Sequence, residues 1–336
     1  MSRYTINAMI VLNTRLILVC ALTAWLTACS EAPAPAEAPP AREAPAVPVE
    51  PRPEGLVQPG AEWALLTRGY VYTDSPVALS GDDVVFAAPI QNMVYRLDAA
   101  DNVTPFDTAT EHTMGLVMGK DGLIYGCRNR GAQIVRYTPD GNRETLLQGE
   151  MTPLPDNPNA PGEFCNDVAV ADNGNIWFTD RVNRSILLLR PDGTVMKVAG
   201  GFRGNGIVLS ADGETLAVTD SVEARLWAFA VSEDGTLTER ENFFGPVQTV
   251  TRLGDEVIQE GRPGTNGMTV DRDGRFYVSS FYGIQVYAPD GAYIGVIDKP
   301  KGFVSNLTFA GAGRDQLYVT GTNGVWRLPM QVTGTR

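Results

Sequence analysis

Asn166-Asp-Val-Ala-Val-Ala-Asp-Asn-Gly-Asn-Ile-Trp-Phe-Thr-Asp180 decides how this chain folds. Two short runs rich in Val, Ile, Trp and Phe flank an Asn-Gly turn, the pattern of two antiparallel strands. The phrase returns as Asn205-Gly-Ile-Val-Leu-Ser-Ala-Asp-Gly-Glu-Thr-Leu-Ala-Val-Thr-Asp220 and as Asn266-Gly-Met-Thr-Val-Asp-Arg-Asp-Gly-Arg-Phe-Tyr-Val-Ser-Ser280. Weaker copies begin at Ser75, Met114 and Ser305, so the six starts are separated by 39, 52, 39, 61 and 39 residues. After the copies come further strands that end in a second turn: residues 134–141, 186–193 and 284–291 end in Pro-Asp-Gly, and 226–235 in Glu-Asp-Gly. Four antiparallel strands about every 40 residues make a propeller blade. Six copies predict an all-β, six-bladed β-propeller over residues 61–331, one domain rather than two. The strand expected in 61–72 has no repeat start before it and is expected to complete the last blade beside 325–328. The two long spacings hold insertions, 148–163 and 236–262, both expected near the rim where the repeats start.

Upstream of the repeats the composition changes. Residues 1–15 carry Arg3 and Arg15 and no acid, and an apolar run follows at 16–28. That run is shorter than the roughly 20 residues of a membrane span, so 1–28 reads as a signal peptide. It ends in Leu26-Thr27-Ala28-Cys29, which resembles the bacterial lipobox and makes Cys29 the expected lipidation site. Ser30 in the next position fits a lipid-anchored protein of the bacterial cell envelope, in the outer membrane facing the periplasm. Residues 30–60 are dominated by Pro, Ala and Glu and are expected to form a disordered tether.

The chain of 336 residues carries 27 Lys and Arg against 39 Asp and Glu, a formal charge of -12 with no basic run. Nothing in it can drive phosphate-backbone binding, so nucleic acid is excluded as a partner. One His removes His-cluster metal chemistry and leaves carboxylates, amides and an ion to carry any reaction. Of the four Cys, only Cys127 and Cys165 fall in the repeats. Both belong near the rim of the repeat starts, and whether they pair depends on the fold.

In a propeller the first strand of each blade lines the central channel. The starts Ser75, Met114, Asn166, Asn205, Asn266 and Ser305, with Asp74 directly before the first, therefore converge at one end of the axis. Three amides and a carboxylate aimed at one point are the oxygen donors of a hard cation such as Ca²⁺. The competing reading is that Asn-Gly is turn chemistry whose side chain bonds nearby backbone.

Over about residues 70–330 the chain resembles the family of senescence marker protein, gluconolactonase and luciferin-regenerating enzyme. The segments that carry the resemblance are Asp74-Ser-Pro-Val, Cys165-Asn-Asp-Val, Asn205-Gly-Ile and Thr265-Asn-Gly-Met. The resemblance implies a six-bladed propeller with one divalent ion in its channel, Ca²⁺ foremost, with Zn²⁺, Mn²⁺ or Mg²⁺ as alternatives. It places Asp74, Asn205 and Asn266 at the metal-ligand positions and Asn166 where a channel Asn meets substrate or ion. It implies a small lactone or ester as substrate, with Asp74 and Asn166 as catalytic candidates. Met114, Phe164 and Arg128 join Asn166 as candidates for substrate binding. Two positions depart from the family pattern: Asp74 stands for Glu and Asn266 for Asp, which leaves one carboxylate where relatives have two. An amide can be neither base nor nucleophile. Glu111, His112, Glu163 and Arg130 are further candidates on the same rim. Two function classes follow, a metal-dependent lactone or ester hydrolase and a ligand- or partner-binding propeller that has lost the acid. Phosphotriester hydrolysis resembling diisopropyl fluorophosphatase is a third.

Overall fold

The computed structural model describes residues 52–157, 159–249, 252–253, 256–257 and 263–335. The leader 1–28, Cys29 and the tether as far as residue 51 lie outside the described residues.

Six four-stranded antiparallel sheets follow one another along the chain. Blade one runs Asp74–Ala78, Val84–Ala88, Met93–Leu97 and Val103–Asp107 from the inside out. Blades two to five begin at Thr113–Met118, Val168–Val170, Gly204–Leu209 and Met268–Val270. Blade six takes Val304–Ala310, Gln316–Gly321 and Gly324–Pro329 from the end of the chain and Ala64–Arg68 from before blade one. Leu65 faces Trp326 and Arg68 faces Gly324, so the ring closes where the sequence requires. The only helical pieces among the described residues are two 3-10 turns, Pro89–Gln91 and Asn129–Gly131.

Apolar side chains from facing sheets fill the spaces between blades, as in the cluster that joins Trp177, Ile186 and Leu188 of blade three to Ile207, Leu216 and Val218 of blade four. Polar contacts add a belt around the inner strands. The Thr179 hydroxyl of blade three donates to the Asn205 carbonyl of blade four at 2.7 Å, and Thr219 donates to the Asn266 carbonyl of blade five at 2.8 Å. Ser279 donates likewise to the Ser305 carbonyl at 3.1 Å. The Thr-Asp and Ser-Ser endings of the repeat phrase are therefore blade-to-blade hydrogen bonds. They satisfy buried carbonyls at the start of the next inner strand.

Three expectations change. The expected tether is too long: within 52–60, Leu56 and Val57 are buried, Val57 bridges Met330, and the Arg52 guanidinium pairs with Asp298. The apolar pair packs beneath blade six, which a Pro-rich composition conceals. Part of the 236–262 insertion leaves the rim, because Phe244 packs edge-on against Phe276 and Tyr287 of blade five and Gly245 N–H donates to the Gly291 carbonyl. Nor is Asn205-Gly206 a turn: both residues lie within a strand. A Cβ on Gly206 would lie 2.2 Å from the Asn266 carbonyl oxygen of the next blade, so close approach rather than turn chemistry demands the glycine.

Candidate active site

The turn that closes each inner hairpin sets the register. The N–H groups of Leu79, Gly119, Ala171, Ser210 and Asp271 each donate across their turns. Counting back equally from each gives Asp74, Met114, Asn166, Asn205 and Asn266. Ser305 completes the row by accepting from Gly267 N–H and Ser279. Asp74, not Ser75, is thus the blade-one member. Ser75, at φ 49°, belongs one level deeper with Gly115, Asp167, Gly206, Gly267 and Asn306. Blade one reaches the row one residue before Ser75 because its turn hydrogen bond closes at Leu79, whose N–H donates to the Asp83 carbonyl.

Asp74 is 6% exposed. One carboxylate oxygen accepts the Ser75 N–H at 2.7 Å and the Ser75 hydroxyl at 3.2 Å, and the other accepts the Tyr72 hydroxyl at 3.1 Å. Burial pushes its pKa above the ordinary carboxylate value against these donors, and burial also holds the Tyr72 phenol well above its usual value. Asn205 and Asn266 are bonded through their backbones, with carbonyls held by Thr179 and Thr219 and Asn266 N–H donating to Ser279. Both residues are thereby fixed in the row. The Asn166 amide donates to the Met114 sulfur at 3.3 Å, which fixes its orientation across blades two and three.

A second carboxylate lies immediately below, and the sequence reading missed it. Asp167 is buried at the level where three repeats have glycine. Its oxygens accept Val168 N–H at 2.9 Å and Ile207 N–H at 3.3 Å. Burial first and the Asp74 charge second hold its pKa well above the usual range. The Asn306 amide acts on both acids, and it also reaches the Ser75 hydroxyl at 3.5 Å. The only signal in the sequence was an Asp where the other copies show Gly, Ser or Asn. Below this level the channel widens into a cavity of about 450 Å³ lined by Leu116, Val168, Ile207, Met268 and Leu307. No residue of the upper row lines that cavity.

The remaining candidates are mostly committed to the fold. Phe164 is 8% exposed and packs on Phe178 with ring centroids 5.6 Å apart, in a core cluster that also holds Met114. Arg128 is buried, donates to Gln133 at 2.6 Å and to the Ala109 carbonyl at 2.8 Å, and pairs with Glu111 at 3.0 Å. Glu163 bridges Thr152 within the first insertion. His112 contacts the Pro89 carbonyl through Nδ1 at 3.1 Å, and burial and the Arg130 charge lower its pKa. Cys127 and Cys165 form a disulfide, with Cα atoms 5.7 Å apart, that ties blade two to the strand entry carrying Asn166. Among the described residues no group of three or more His, Cys, Asp or Glu side chains is arranged to hold a metal ion, so any such ion must draw on amide oxygens.

The family described as SMP-30/Gluconolactonase/LRE-like region matches residues 143–323, more than half of the chain. The chain belongs to this family. It is 22% identical over 322 residues to the gluconolactonase of Zymomonas mobilis, covering 84% of this chain and 85% of that protein. To the pentonolactonase XacC of Haloferax volcanii it is 27% identical over 239 residues, 69% of this chain and 74% of the other. The solved structure of XC5397 from Xanthomonas campestris, a gluconolactonase, superposes with a TM-score of 0.64 at 28% identity, covering 80% of this chain and 90% of that one.

Proposed function

We propose that this family member hydrolyses a lactone, or a related ester, at the end of the channel where the row converges. The observation that carries the reading is the buried Asp74 carboxylate set level with the amides of Asn166, Asn205 and Asn266. The lactonase relatives supply the reaction class. The donor set is all oxygen and fits a hard divalent cation, Ca²⁺ foremost, with Asp74, Asn205 and Asn266 as its ligands. Such an ion, when bound, supplies Lewis acidity to a carbonyl oxygen and lowers the pKa of water.

The chain's own residues do the rest. Tyr72 and Ser75 aim their donors at Asp74 and hold its carboxylate in one orientation. Asp74, the buried carboxylate of the row, takes the proton as water adds to the carbonyl and returns it to the ring oxygen as the C–O bond breaks. Asn166, oriented by Met114, meets the ring oxygens of the substrate. Purified protein with Ca²⁺, Zn²⁺ or Mn²⁺ is expected to open at least one lactone in a panel that includes glucono-1,5-lactone. Asp74→Ala is expected to abolish this activity. Activity indifferent to both chelation and that substitution would sink the mechanism.

Asn266 favours a second reading, a propeller that binds a ligand without turning it over, because the amide removes one ligand charge from the row. Metal analysis separates the two: a stoichiometric ion supports hydrolysis, and protein that takes up none supports binding alone. We further propose that the chain is exported and anchored through a lipidated Cys29, at the outer membrane facing the periplasm. The leader ending in Leu26-Thr27-Ala28-Cys29 and the Cys127–Cys165 pair support this reading, since disulfides persist in oxidising compartments. Among the described residues no helix is long and apolar enough to cross a membrane. Membrane fractionation of Cys29→Ser against wild type tests the anchor. Retention of the variant in the membrane would refute it.

A further inference from the structure

Among the described residues, four buried side-chain atoms have no hydrogen-bond partner: Gln91 Oε1, Arg128 Nε, Arg181 Nε and Ser221 Oγ. All four sit where the second strand of a blade ends, one in each of blades one to four. Gln91 lies in the turn after Val84–Ala88, Arg128 ends Ile124–Arg128, and Arg181 and Ser221 follow Asp180 and Asp220. Those strand ends pair with the starts of the inner strands, as Met114 does with Cys127, so the unpartnered atoms share the rim of the Asp74 row. Buried polar groups without partners are uncommon, and each needs an explanation. Four on one arc of one rim mark it as a polar surface whose hydrogen bonding the fold itself leaves incomplete.

The rest of the rim is different in kind. Tyr72 stacks on Phe303 with centroids 6.4 Å apart, and Phe303 meets Phe281 edge-on at 5.6 Å. The mouth thus has a polar arc on blades one to four and an aromatic arc on blades five and six that ends at Tyr72, before blade one. The two arginines of the polar arc are not equivalent. Arg128 is held through both terminal nitrogens by Gln133, Ala109 and Glu111. Arg181 has an unpartnered Nε, and its charge acts on Tyr72 across the mouth, the residue whose hydroxyl holds Asp74. The turn after it is anchored by Asn183, which donates to Asp180 at 2.7 Å and to Thr152 of the first insertion at 2.8 Å.

We infer that Arg181 is a specificity-determining residue, whose guanidinium takes a ring hydroxyl or carboxylate oxygen of the ligand while the aromatic arc covers the ligand's apolar face. The assignment rests on the lactone reading of the site, and the experiment separates the two. Arg181→Ala, Arg181→Gln and Arg181→Lys are compared with wild type on glucono-1,5-lactone and on δ-valerolactone, which lacks ring hydroxyls. D-gluconate binding is measured by calorimetry and folding by thermal melting. Loss of a charge-assisted hydrogen bond predicts a roughly 10- to 100-fold higher KM for glucono-1,5-lactone in the Ala and Gln variants. Their kcat should stay within about threefold, their KM for δ-valerolactone and their melting midpoint should not change, and Lys should recover part of the loss. Gluconate affinity should fall by the same factor as KM rises. Unchanged KM and gluconate affinity, or equal losses on both lactones, overturn the role of Arg181 and leave the hydrolase reading standing. Wild type that opens no lactone but binds gluconate through Arg181 overturns the hydrolase reading alone. Wild type that does neither overturns both.

Discussion

Asn266 puts an amide in the row where the family resemblance leads one to expect a carboxylate, and it carries a measurable consequence. A carboxylate there would add a ligand charge opposite Asp74, and ligand charge is a principal control of hard-cation affinity. Asn266→Asp is therefore expected to tighten Ca²⁺ binding by roughly tenfold or more in a calorimetric titration. Weaker binding in the variant would show that Asn266 is not a ligand. His112 tests the electrostatics of the same rim independently. It is the only histidine in the sequence, so its ring proton signal needs no assignment by mutation. Burial and the Arg130 charge disfavour the imidazolium, so the folded pKa should lie below the ordinary 6.5. For a cationic group with a depressed pKa the unfolded chain binds the proton first. The stability contribution is complete above about pH 6.5 and declines as pH falls toward the folded value. NMR titration giving a pKa at or above 6.5 would refute this account of His112. Asp167 shows why residue chemistry was only partly legible. In the sequence, Asn-Asp reads as one turn pair like Asn-Gly, and nothing local tells which of the two side chains is buried. Only the register set by the hairpin turns separates the row of Asp74 from the level of Asp167. The unpartnered atoms of the rim were equally hidden, because they depend on what neighbouring loops fail to reach.

Inner strands that begin with Asn-Gly are the element on which the ring is assembled. The repeat period, the strand order within a blade and the closing strand all followed from the sequence, because hydrophobic patterning and turns are local. The purpose of the glycine did not, because its constraint comes from the next blade. Gly206 and Gly213 separate the two causes of a required glycine. A Cβ at Gly206 meets the Asn266 carbonyl at 2.2 Å, whereas at Gly213, φ 77°, nothing lies within 4 Å. Gly213→Ala should cost only the left-handed backbone penalty, about 1 kcal/mol. Gly206→Ala forces two blades apart and should cost at least about 2 kcal/mol, by analogy with overpacked cores. Urea unfolding of the two variants checks the order, and equal losses would remove the blade-contact explanation.

Across the whole molecule, two constraints hold the ring, and they act at different places in it. The disulfide joins blades two and three over a sequence separation of 38, which in the chain-entropy account contributes about 3–4 kcal/mol by restricting the unfolded chain. It leaves the closure between blades six and one untouched. That closure depends on residues before blade one: Ala64–Arg68 forms the outer strand of blade six, Leu56 and Val57 pack beneath it, and the Thr73 hydroxyl donates to the Gly324 carbonyl at 2.6 Å. Removing residues 1–68 strips the outer edge from Gly324–Pro329 and exposes the core around Leu328 and Met330. The two changes should therefore differ in kind. Replacing both cysteines with serine should lower the unfolding free energy by about 3–4 kcal/mol while unfolding stays a single cooperative transition. The truncated chain should lose its cooperative transition and its near-ultraviolet dichroism together, because a propeller with one blade lacking its outer strand has an open seam in a core that every blade shares with its neighbours. A truncated protein that melts cooperatively at the wild-type midpoint would show that the ring holds without its closing strand.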